Sequence, residues 1–115
     1  MSHRFAEIDA IEVSLIKALG HPSRLRVIGV LARGPLGVGV LARELGLAQA
    51  SASQHLSAMR TAGLVTARRE GRTVRYELAD AEILAACELV RGVIERRLAT
   101  AVVHVATPSS QVIHA

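Results

Sequence analysis

Three features of this 115-residue chain predict a mostly helical α+β domain carrying one small β-hairpin. Apolar residues recur every three or four positions through successive stretches, the mark of amphipathic helices. Glycine or proline stands at most of the breaks between those stretches. Near residue 64 the helical period gives way to alternation, and it returns after Asp80. Half of the residues are hydrophobic, enough to bury a core, and the length suits one domain rather than two. The expected division is a folded domain over residues 1–106 and a flexible tail over 107–115.

The first helix is predicted over residues 5 to 19, with Ile8, Ile11, Leu15 and Leu19 on one stripe and Gly20 ending it. Pro22 then suits a first helical position, where its missing N–H costs nothing. Leu25, Ile28, Leu31 and Ala32 supply the buried face of this second helix, which Gly34-Pro35 stops. Glycines 34, 37 and 39 predict a loop, followed by a short helix patterned by Val40, Leu41 and Leu45. Gly46 stands where a helix end takes a left-handed residue. A further helix runs from Gln49 to Ala62, with Ala52, Leu56 and Met59 inward and Gly63 after it. Two short helices around Gly46-Leu47-Ala48 make a helix-turn-helix pattern.

Residues 64–69 and 73–78 alternate as strands, with Glu70-Gly71-Arg72 as the turn between them. Asp80 is suited to cap the last helix. In that helix Ile83, Cys87, Val90, Ile94, Leu98, Ala101 and Val105 follow at steps of three or four. Such a seam can meet another helix, within the core or in a second subunit. The order is α-α-α-α-β-β-α, a winged helix-turn-helix flanked by terminal helices. Dimerisation is expected through the first and last helices, at Ile8, Ile11, Leu15, Ile83, Cys87, Val90, Ile94 and Leu98.

Charge points to the partner. Fourteen basic residues face ten acidic ones, and all the basic ones except Lys17 are arginine. Guanidinium forks match phosphates and guanine edges. Arg60, Arg68, Arg69, Arg72 and Arg75 crowd one stretch whose only acid is Glu70. Phe5 and Tyr76 are the only aromatics, so stacking of single-stranded bases is not expected. The polar residues of the Gln49–Ala62 helix suit a duplex major groove: Gln49, Ser51, Ser53, Gln54, His55 and Arg60. Gln54 is the best candidate for reading a base, since an amide pairs with adenine at two points. Ser51 and Ser53 suit phosphate contacts, or local backbone capping instead. The hairpin arginines 68, 69, 72 and 75 can reach phosphates or a minor groove, which adds affinity without sequence information.

The stretches HPSRLRVIGVL (21–31), LARELGLAQASASQHLSAMRTAGLV (41–65) and REGRTVRYEL (69–78) together resemble the ArsR/SmtB family of bacterial winged-helix repressors. The resemblance spans roughly residues 5 to 105. It implies a homodimer that binds an imperfect inverted repeat in double-stranded DNA at a promoter, with repression relieved or enhanced by an effector. Separately, the lack of an apolar h-region at the N-terminus predicts a cytoplasmic protein. Where many relatives carry serine at the entrance of the recognition helix, this chain has Ala48, which cannot cap.

The family's sensor sites are incompletely represented. Its C-V-C segment corresponds here to Leu36 through Val40, with Gly37 and Gly39 in the cysteine positions. Its last-helix pattern, D-x-H then H-x-x-E, becomes Asp80, Glu82, Val93 and Arg96, a poor zinc set. Cys87 has no second cysteine, which leaves a buried small hydrophobe or a single-thiol redox sensor. His3 and His104 are candidates for nickel or zinc in the manner of nickel-sensing relatives, with His114 also near a terminus. The effector is therefore a metal at terminal histidines, a small apolar or redox signal near Cys87, or absent.

Two other classes fit the residues less well. A protein-interaction winged-helix module would not need the arginine cluster. No catalytic arrangement, phosphate loop or complete metal set points to an enzyme. No apolar stretch is long enough for a membrane span.

Overall fold

The computed structural model describes residues 2–105, with side chains over residues 4–101. The expected tail, His114 and the side chains of His3 and His104 lie outside the described residues. Two units divide the chain, Met1–Leu84 and Ala85–Ala115.

In the first unit α1 (Ser2–Leu19), α2 (Pro22–Leu31), β1 (Leu36–Gly37), α3 (Val38–Leu45), α4 (Gln49–Thr61), β2 (Val65–Glu70) and β3 (Thr73–Leu78) follow in order. Helix α5 (Glu82–Val105) starts here and forms the second unit. Its start is tied by Asp80, whose Oδ1 accepts from the Glu82 amide at 2.9 Å, as the predicted cap requires.

The core lies where α2, α3, α4 and the sheet converge. Ile28, Leu41, Leu56, Met59, Leu64, Val27 and Val65 are its largest fully buried side chains. Each is worth about 1.5–3 kcal/mol of transfer free energy, so α4 is anchored along its whole inner stripe. From α1 only the C-terminal end joins, through Ala18, Leu15 and Leu19. Ile8 and Ile11 remain 53% and 64% exposed.

The structure corrects three expectations. Leu25 is 42% exposed and Ala32 is also exposed, while Val27 is fully buried. The inward stripe of α2 runs through Arg24, Val27, Ile28 and Leu31, one residue round from the expected one, because Leu25 projects off the contact line with α3 and α4. Val40 is 39% exposed, and Leu41, Ala42 and Leu45 form the buried face of α3. The expected glycine loop contains β1, making the hairpin a three-stranded antiparallel sheet in the order β1-β3-β2. Leu36 pairs with Tyr76 and Gly37 with Arg75. A two-residue strand owes nothing to propensity; the free edge of β3 supplies its hydrogen bonds.

Helices α3 and α4 end in the same way. Gly46 takes φ +66°, its amide donates to Arg43 O at 3.2 Å, and the Leu47 amide donates to Ala42 O at 2.9 Å. Gly63 takes φ +83°, with its amide on Arg60 O at 3.0 Å and that of Leu64 on Met59 O at 2.9 Å. This left-handed cap satisfies the last carbonyls and turns the next leucine back onto the core. Arg26 adds a guanidinium bond to Leu45 O at 2.8 Å, closing the end of α3 where the turn begins.

Candidate nucleic-acid interface

Ala52, Leu56 and Met59 are all fully buried, and this inner stripe sets which face of α4 meets solvent. The opposite face carries Ser53, Gln54, Ser57, Arg60 and Thr61, all exposed, with exposed Gln49 and Ala50 at the first turn. Short hydroxyls, one central amide and one guanidinium share this stripe, and the helix holds no acid. Such a surface can approach base edges and phosphates without like-charge repulsion. Ser51 is half-buried at its margin. Ala48 flanks the helix start with no side-chain cap, so the first amides of α4 are free of side-chain capping there. Ser57 is an addition to the predicted set; its position four residues after Ser53 was the available signal.

His55 is placed differently from the other polar residues of α4. It is half-buried, and its Nδ1 accepts from Arg24 Nε at 3.2 Å. Arg24 also donates through Nη1 to Ala18 O at 3.2 Å, so one guanidinium ties the end of α1 to α4. The His21 ring lies 6.2 Å from that of His55. Burial, then the Arg24 charge and His21, hold the His55 imidazole below its ordinary range. A neutral His55 accepting at Nδ1 carries its proton on Nε2. Its structural part is thus to join α4 to α1 and α2. Sequence reading missed Arg24 and Arg26, although both lie in the HPSRLRVI stretch.

The hairpin has two chemically different faces. In the register of β2 and β3, Val65 pairs with Leu78, Ala67 with Tyr76 and Arg69 with Val74, on the side that reaches the core. Thr66 with Glu77, Arg68 with Arg75 and Glu70 with Thr73 make up the other face. Like charges placed directly opposite repel, and Glu70 relieves this pair. Its Oε1 lies 3.0 Å from Arg75 Nε and its Oε2 lies 3.4 Å from Arg68 Nε. Glu77 Oε1 lies 3.8 Å from Arg68 Nη1. Arg60, Arg69 and Arg72 are exposed and form no ion pair among the described residues. Arg72 follows Gly71 at the tip. The count of arginines in the sequence therefore overstates the free charge of the wing, because the strand register brings Glu77 and Glu70 against two of them.

Of the expected dimer residues, Leu15 and Ile83 pack against the core of the first unit. Ile8, Ile11, Val90 and Ile94 are exposed, together with Phe5, Ile16 and Leu89. Large apolar side chains this exposed along two helices are unusual for a surface facing only water. Cys87 is half-buried on α5, and burial raises its thiol pKa, which disfavours the reactive thiolate. Among the described residues no helix is long and apolar enough to cross a membrane.

Residues 21–67 match the model of the bacterial regulatory protein, arsR family. The HTH-type transcriptional regulator CmtR of Mycobacterium bovis is 46% identical over 79 residues, covering 68% of this chain and 67% of the relative. The transcriptional activator HlyU of Vibrio cholerae is 41% identical over 82 residues, covering 71% and 76%. Among solved structures, a homodimeric winged helix-turn-helix DNA-binding domain from Mycobacterium bovis superposes with a TM-score of 0.77 at 33% identity, covering 85% of this chain and 91% of that one.

Proposed function

The chain belongs to the ArsR family of winged-helix transcriptional regulators, and on that premise we propose that it is a dimeric repressor binding an inverted-repeat operator. Helix α4 enters the major groove, Gln54 reads a base at its exposed centre, and Ser53, Ser57 and Arg60 set register on the flanking phosphates. Arg72 at the wing tip reaches the backbone alongside. A second subunit covers the apolar faces of α1 and α5 and sets the half-site spacing. The observation that carries the reading is the acid-free polar stripe of α4, held in place by three fully buried residues on its other side.

The test is an anisotropy titration against duplex DNA from its own promoter and a scrambled duplex of equal length, over a series of salt concentrations. Preference for the promoter with a steep salt dependence is expected; equal affinity for both duplexes overturns sequence-specific regulation. The 41% identity with HlyU, named an activator, favours activation as the second reading. A promoter–reporter fusion separates the two by whether output rises or falls when the chain is removed. Nickel or zinc binding at His3 and His104 is the metal-responsive form of the same proposal, tested by calorimetric titration of the wild type and His3→Ala.

A further inference from the structure

We propose that Glu70 sets the DNA selectivity of this regulator by restraining Arg68 and Arg75 from phosphate, an inference that rests on the DNA-binding reading above. The two guanidinium groups come from directly paired positions on β2 and β3. One carboxylate lies against the Nε of both as an ion pair, at 3.0 Å from Arg75 and 3.4 Å from Arg68. Nε is half of the side-on fork with which arginine grips a phosphate at two points. The Glu70 charge beside each Nε competes with phosphate for that fork, and Glu77 stands beside one terminal nitrogen of Arg68. The carboxylate also repels any phosphate approaching the same face. Among the described residues Arg69 and Arg72 form no such ion pair, so they are the wing arginines most available to phosphate.

The consequence is selectivity. Phosphate contacts strengthen binding to every duplex alike and carry no sequence information. A wing with all four arginines free would raise random binding along with operator binding, and competing genomic sites would hold more of the protein. These ion pairs are half-exposed and therefore weak, so the restraint amounts to roughly five-fold or less in affinity per arginine.

The experiment compares Glu70→Gln with the wild type in the full chain, measuring anisotropy on promoter and scrambled duplexes from low to moderate salt. Glu70→Gln should bind scrambled DNA several-fold more tightly, steepen its log–log salt slope by about 1–2 per protomer, and narrow the promoter-to-scrambled ratio. In an Arg68→Gln/Arg75→Gln background the same substitution should change scrambled binding by less than about two-fold, since its effect acts through those arginines. An unchanged slope in Glu70→Gln overturns the proposal. An equal gain in the Arg68→Gln/Arg75→Gln background also overturns it, by assigning the effect to bulk charge. Wild type that fails to prefer its promoter overturns the sequence-specific reading itself, whereas selective wild type with an indifferent Glu70→Gln overturns only the role of Glu70.

Discussion

Exchanging glycine for alanine at two helical sites should move stability in opposite directions, and the structure supplies both signs. Gly46 closes α3 at φ +66°, and a Cβ built there meets nothing within 4 Å. Packing therefore contributes no penalty, and the whole cost is the left-handed backbone, about 1–2 kcal/mol for an L-residue. Alanine returns about 0.4–1 kcal/mol by narrowing the unfolded ensemble, so Gly46→Ala should destabilise by about 1 kcal/mol. Gly29 lies inside α2, is exposed, and also has open space where a Cβ would go. There the conformation is ordinary for alanine, and Gly29→Ala should stabilise by about 0.5–1 kcal/mol. The two variants should differ by nearly 2 kcal/mol, or about 8 °C in Tm between them. Urea denaturation at one fixed protein concentration measures it, since subunit association would otherwise shift the midpoint. If Gly46→Ala proves as stable as Gly29→Ala, the left-handed turn between α3 and α4 is not what Gly46 provides.

Gln54→Ala should lower promoter-over-scrambled discrimination by about 1–3 kcal/mol, whereas Arg72→Ala should weaken both duplexes alike and reduce the salt slope by about 1; competition binding over salt distinguishes the two. Val90→Asp, at a site 61% exposed on α5, should convert a dimer into a monomer in light scattering coupled to gel filtration, with circular dichroism retained. His55 titrates below its ordinary value, so its contribution to stability is fully present above the usual histidine pKa near 6.5 and is lost as pH falls through and below it. Thermal melts from pH 7.5 to 5 should therefore show a decline, and His55→Asn, whose amide oxygen can still accept from Arg24, should flatten that part of the profile.

Much of the geometry of the candidate interface was legible along the chain. Ala52, Leu56 and Met59 repeat at helical spacing, which assigns the inner face of α4 and leaves Ser53, Gln54 and Arg60 outside. Gly46 and Gly63 mark helix ends because few other residues tolerate their backbone angles. Residues less plainly written were those whose partners lie far along the chain. Leu25 reads as core from its own spacing, but contact with α3 and α4 rotates α2 towards Val27. His55 looks like one more groove residue until Arg24, 31 positions earlier, is seen to hold it. Leu36 and Gly37 carry no strand signal at all, and they pair only because β3 offers an open edge.

The amino-acid order determined which segments are helices, where they break, and which polar residues α4 presents, since these depend on spacing and backbone preference within a few residues. Tertiary structure decided the electrostatic character of the wing. Arg68, Glu70, Arg75 and Glu77 become one cluster only in the antiparallel register of β2 and β3, and Coulomb interaction depends on separation in space. Chain position alone counts them as charges without revealing which are already paired.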